Sequence, residues 1–215
     1  MLGWIGSKTG KPIHGMVQEL GGVMTGLVSG TRVATAIGWR PVEALTAGDR
    51  VLTFDNGLQP LVDVNRQPLW SGKNACPQNF WPLELARGAL GNRGSLTILP
   101  HQVVMLESDT AEEIWGDPFA LLPALALDGA NGVSRVPPAR DAEVSVLHFE
   151  EEQVVFAEHG LMFLCPSSRD LLDYAFTPED ALAYCVLPIN EARRLTMALE
   201  ASALFVPNDP LFASA

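Results

Sequence analysis

The chain has 215 residues, enough for one domain with a real core or for one domain plus extensions, and its 47% hydrophobic and 18% charged residues rule against disorder. A formal net charge of −11, with no cluster of Lys or Arg, weighs against nucleic acid as a partner, because phosphate binding needs a cationic face. Gly 19 and Pro 16 imply many turns and a β-rich fold, and the separated Cys76, Cys165 and Cys185 imply neither a disulfide framework nor a metal or cofactor site.

Residues 1–24 form a Gly-rich arm. Its start, "MLGWIGSKTGKPIHG", lacks the charged and apolar regions of a signal peptide, and the stretch from Gly15 to Gly30 is too short and polar to span a bilayer. A cytoplasmic location is the corresponding expectation. Gly22, Gly26 and Gly30 keep a four-residue spacing that permits close packing against a neighbour, although glycine at this density costs a helix about 1 kcal/mol each.

Residues 25–169 read as strands and turns. "TRVATAIGW" and "RPVEALTAGDRVLTF" flank a turn at Gly38, and Asp55-Asn56-Gly57 joins two β-prone runs. An Asx-Gly pair in that setting predicts a hairpin with a type I′ turn, whose two central residues both take positive φ. "LWSGKNACPQNFWP", from Leu69 to Pro82, reads as a long loop whose Trp70, Phe80 and Trp81 could anchor a peptide or small ligand. "SLTIL", "QVVML", "EVSVLHF" and "EQVVFAE" read as strands, whereas "WGDPFALLPALALDGANGV" leaves strand and short helix open. The acidic run at 150–152 reads as a solvated hairpin tip, since repelling carboxylates are not buried together. Asp49 and Asp55 belong to turns.

Residues 170–215 change period and form a helical extension. Thr177 can cap a helix that begins at Pro178, and a second helix runs from Asn190 to about Leu204 with Leu195, Ala198 and Leu199 on one face.

The run "SGTRVATAIGWRPVEALTAGDRVLTFDNGLQPL" resembles the opening block of the Hint domain shared by hedgehog autoprocessing domains and inteins, in its bacterial branch. "RGALGNRGSLTILPHQVVML" and "VSVLHFEEEQVVFAEHG" are similar to that branch's second and third blocks, in the same order. The resemblance implies a mainly β, horseshoe-like fold that cleaves the peptide bond before its first residue. A Cys or Ser there attacks the preceding carbonyl, and a histidine from the second block protonates the leaving amine. Counting back from Gly30-Thr31 places Gly26 at the nucleophile's position, where no side chain exists to start an acyl shift. His101 corresponds to the proton donor, with a hydrogen-bonded core histidine as its other reading. Ile98 stands where a Thr or Ser would assist, and the nearby Thr97 would face the other side of a strand. His148 matches a histidine of the third block without an assigned role.

The resemblance thus implies a degenerate, non-self-cleaving Hint scaffold, a structural or protein-interaction subunit whose arm and C-terminal helices contact a protein partner or a second copy. The apolar positions Trp4, Ile5, Met16, Val17, Leu195 and Leu199 are those a Hint core would not need. The alternative is autocatalytic cleavage or acyl transfer by a displaced hydroxyl, Ser29 or Thr25, working with His101. On the first reading, a cysteine restored at position 26 is expected to recover part of the acyl shift.

Overall fold

The computed structural model describes residues 21–168 and 184–204, the side chains of 202–204 excepted. The expected helix after Thr177, and the arm positions Trp4, Ile5, Met16 and Val17, lie outside the described residues. In chain order the first strands are β1 (Leu27–Val28), β2 (Arg32–Thr35), β3 (Gly38–Pro41), β4 (Arg50–Thr53), β5 (Gly57–Pro60), β6 (Asp63–Pro68) and β7 (Leu83–Leu85). There follow β8 (Leu96–Ile98), β9 (Val103–Glu107), helix α1 (Asp109–Trp115), β10 (Phe119–Pro123), β11 (Val133–Arg135), β12 (Glu143–His148), β13 (Gln153–Phe156) and β14 (Met162–Cys165). Helix α2 (Ile189–Leu204) ends the described chain.

Among the described residues the strands form three sheets, and the fold is mainly β. The largest runs β10-β9-β14-β13-β4-β2-β3, with β5 on β4; the others are β1-β12-β6 and β11-β7-β8. Short strands with alternating burial sort their side chains by face. In β8, Leu96 and Ile98 are buried and Thr97 is half-exposed, as a period of two requires. β12 is different: Val144 through Leu147 are all buried, because its two faces meet separate apolar clusters. Val144 packs with Val23, Leu69 and Leu99, whereas Leu147 enters the main core.

The Asp55-Asn56-Gly57 hairpin forms, but not with the expected turn. Thr53 pairs with Gly57, so the connection has three residues, and Gly57 alone takes positive φ, at 63°. Among the described residues, His159 is the only non-glycine with positive φ, so Asn56 is not left-handed. A three-residue loop closed by one left-handed glycine satisfies the strand twist just as well.

Two further expectations change. The carboxylates at 150–152 connect β12 and β13, which lie in different sheets, so the run is a crossover and not a hairpin tip. The ambiguous segment from Trp115 resolves into β10 and a 3-10 turn, Ala124–Leu127. Helix α1 lies just before it. Ser108 caps it by accepting the Ala111 N–H at 3.3 Å, and left-handed Gly116 ends it.

Helix α2 occupies the expected range, but it is no appendage. Ala192 and Leu195 are completely buried in the main core, and Leu199 packs against it. The helix lies on the Ala124–Leu127 turn, α1 and β10. Leu195 is therefore not free for a partner, and Leu199 is partly covered. A sequence period reveals that a helix has an apolar face, but not which surface covers it.

Candidate functional site

The chain enters the domain as a strand along residues 69–71. Ser71 N–H donates to Gly21 O at 2.8 Å, Val23 N–H donates to Leu69 O at 2.9 Å, and Gly22 bridges Trp70. Val23 is buried with Leu69, Leu99 and Val144. Two consecutive residues then grip the next peptide units. The backbone N–H of His101 donates to Met24 O at 2.8 Å, and the side-chain Oε1 of Gln102 accepts the N–H of Gly26 at 2.9 Å. The Thr25–Gly26 peptide bond, which the resemblance marks as the junction, thus has its nitrogen tied to a buried carboxamide. Downstream, Ser29 N–H donates to Glu143 O, and Gly30 N–H donates to the Glu43 carboxylate at 2.9 Å. The Glu of "PVE" therefore fastens the Gly-Thr turn.

Gly26 has φ +113°, a region that L side chains rarely adopt. A Cβ built on it would stand 2.6 Å from Val144 Cγ1, 3.1 Å from Val146 Cγ2 and 3.2 Å from Ser145 O. Val144 is itself fully buried, so it has little room to yield. The expectation that a cysteine at position 26 restores chemistry assumes space that this backbone does not provide.

His101 is half-buried, and its Nδ1 is buried without a hydrogen-bond partner among the described residues. Burial, and secondarily the Arg135 guanidinium, push its pKa below the ordinary histidine value. The imidazole is therefore predominantly neutral at pH 7, which leaves little imidazolium to protonate a leaving amine.

Of the remaining candidates, only Thr25 lies within this grip. Thr25 is half-buried beside Gly26, whereas Ser29 is exposed. Ser29 and Thr97 line a cleft of about 220 Å³ with Thr31, Glu84, Ser95 and Glu158, and His101 does not line it. Ile98, by contrast, is 2% exposed in the main core. His148 Nδ1 lies 3.5 Å from Ser167 O, where it ties β12 to the segment after β14.

The loop from Leu69 to Pro82 is built rather than open. Phe80 is 2% exposed and packs on Trp70 at 5.3 Å between ring centroids, while Trp81 Nε1 donates to Cys76 O at 2.9 Å. Phe80 is an internal packing residue, which corrects its reading as a ligand anchor. Gln102 is the site residue that sequence reasoning missed. Its signal was a polar side chain beside His101 at the head of an apolar strand. Among the described residues no group of three potential ligands could hold a metal, and no helix is long and apolar enough to cross a membrane.

Fold and junction together define a β-rich domain in which the segment before β1 is held by two consecutive residues, the His101 amide on Met24 O and the buried Gln102 carboxamide on the Gly26 N–H. The family model described as the Hint domain matches residues 25–162, and the chain belongs to that family. Among solved structures it is similar to the bacterial intein-like domain from Clostridium thermocellum, at 14% identity and TM-score 0.45, over 66% of this chain and 99% of that one. It is also similar to a splice-inactive variant of the AceL NrdHF class 3 split intein, at 16% identity and TM-score 0.39, over 67% and 99% of the two chains. No curated protein matches the chain.

Proposed function

We propose that this Hint-family protein does not cleave itself at the Thr25–Gly26 bond and serves as a structural or protein-interaction subunit. The observation that carries this reading is the packing at Gly26. The residue offers no nucleophile, its Cβ position is filled by Val144, and its N–H is held by Gln102. An acyl shift needs a reactive atom within bonding reach of the Thr25 carbonyl, and small errors of placement cost orders of magnitude in rate. The neutral His101 adds to the case, because the step also needs a proton for the departing nitrogen.

The test is intact mass after incubation of the full chain with a thiol or with hydroxylamine at neutral pH. A single unchanged mass is expected. Accumulation of a fragment beginning between Thr25 and Ser29 would establish the alternative, cleavage by a displaced hydroxyl. Size-exclusion chromatography with light scattering, on the full chain and on a chain lacking residues 1–20, examines the interaction role. Loss of self-association in the shorter chain is the expected sign that the arm makes the contact.

A further inference from the structure

Four residues before Gly26 the chain passes against two aromatic rings. Gly22 is buried, and a Cβ on it would lie 2.5 Å from Phe80 Cδ1 and 2.8 Å from Trp70 Cε3. Gly22 is not among the glycines with positive φ, so the rings impose the requirement and the backbone conformation does not. The rings are themselves held. Trp70 Nε1 donates to Asn74 O at 2.7 Å, and Gly72 lies so close to the indole that a Cβ there would stand 2.3 Å from Cζ2.

Around this point the strand is paired in one register. Gly21 O accepts from both Ser71 N–H and Ser71 Oγ, Val23 N–H donates to Leu69 O, and Met24 O accepts from His101 N–H. A slip of one residue in one direction would press the Val23 side chain into the rings. A slip in the other would place Gly22 where Val23 now fills the cluster of Leu69, Leu99 and Val144. Glycine followed by an apolar residue therefore fits only one way.

We propose that residues 69–72, Phe80 and the His101 amide form a glycine-selective subsite for the strand that leads into the junction. Gly22 thereby sets the register in which the Met24 carbonyl meets the His101 amide and the Gly26 N–H meets Gln102. The proposal does not rest on whether that bond is cleaved, since it concerns how the strand is seated. In chemical terms the subsite takes an extended peptide through backbone hydrogen bonds and excludes any side chain at one position.

The test is amide hydrogen exchange on the full chain carrying Gly22→Ala, Phe80→Ala or both, with the β9–β14 ladder as internal control. In Gly22→Ala, exchange at Val23 and Gly26 is expected to accelerate by at least about tenfold while the ladder is unchanged. Removing the Phe80 ring takes away the nearer wall while Trp70 Cε3 still stands 2.8 Å from the methyl position, so Gly22→Ala should accelerate exchange less in the Phe80→Ala background than in the unsubstituted chain. Unchanged exchange in Gly22→Ala overturns the proposal. So does an acceleration by Gly22→Ala in the Phe80→Ala background as large as in the unsubstituted chain, or, if Gly22→Ala alone does not fold, a double variant that does not fold either.

Discussion

Gln102 Oε1 accepts the Gly26 N–H at 2.9 Å, while its Nε2 donates to Leu164 O at 2.8 Å and to Val103 O at 3.1 Å. One carboxamide thus joins the junction to β9 and β14 from a position only 2% exposed. Gln102→Leu would strand a buried donor and remove a partner from two carbonyls. A buried group left unpaired costs about 1–3 kcal/mol, so a loss of at least that size is expected in the unfolding free energy measured by urea titration. A change below about 0.5 kcal/mol would show that water or relaxation replaces these bonds.

Gly26→Cys should weaken the fold without creating a nucleophile. A non-glycine residue at strained φ costs on the order of 1–3 kcal/mol, and crowding against Val144 adds to this. The expected result is a lowered thermal midpoint and no thiol-dependent fragment. Pairing it with Val144→Ala should recover much of the stability by opening space at Cγ1, a comparison that separates crowding from backbone strain.

Stability should fall on acidification partly through His101. The unfolded chain takes up this proton near pH 6.5, the folded chain only at lower pH, so between those values the unfolded state binds more protons. The stabilising contribution is complete above pH 6.5 and is lost as pH falls through the depressed folded value. Ring-proton NMR should give a midpoint below that of a free histidine. Because Arg135 acts in the same direction as burial, Arg135→Gln should move the midpoint upward. A midpoint at or above the ordinary value in the unsubstituted chain would remove the argument that His101 is neutral.

Leu195→Ala tests whether α2 belongs to the core. The side chain has no exposure and packs with the main cluster, so truncation should cost about 2–5 kcal/mol in chemical denaturation. A helix merely appended to the domain would lose far less. Met197, on the same helix, is 67% exposed, and Met197→Ala should be within about 0.5 kcal/mol of the unsubstituted chain.

Local chemistry wrote much of this protein plainly. Turn glycines, alternating apolar residues and the ordered Hint blocks were enough for a mainly β fold, the strands from β2 to β5, β8, β9, β12 and β13, and the range of α2. They also placed Thr97 and Ile98 on opposite faces, because a period of two depends only on the backbone. Long-range pairing was a different matter. That β12 and β13 part into separate sheets, or that Leu195 enters the core, depends on surfaces brought from elsewhere in the chain. The same holds at the junction. The sequence by itself determined that Gly26 carries no reactive atom. Only the tertiary structure decided that Val144 fills its Cβ position, that Gln102 holds its N–H and that Phe80 and Trp70 wall in Gly22. Those three facts are contacts between residues distant in sequence, set by how the sheets close, and no local pattern encodes them.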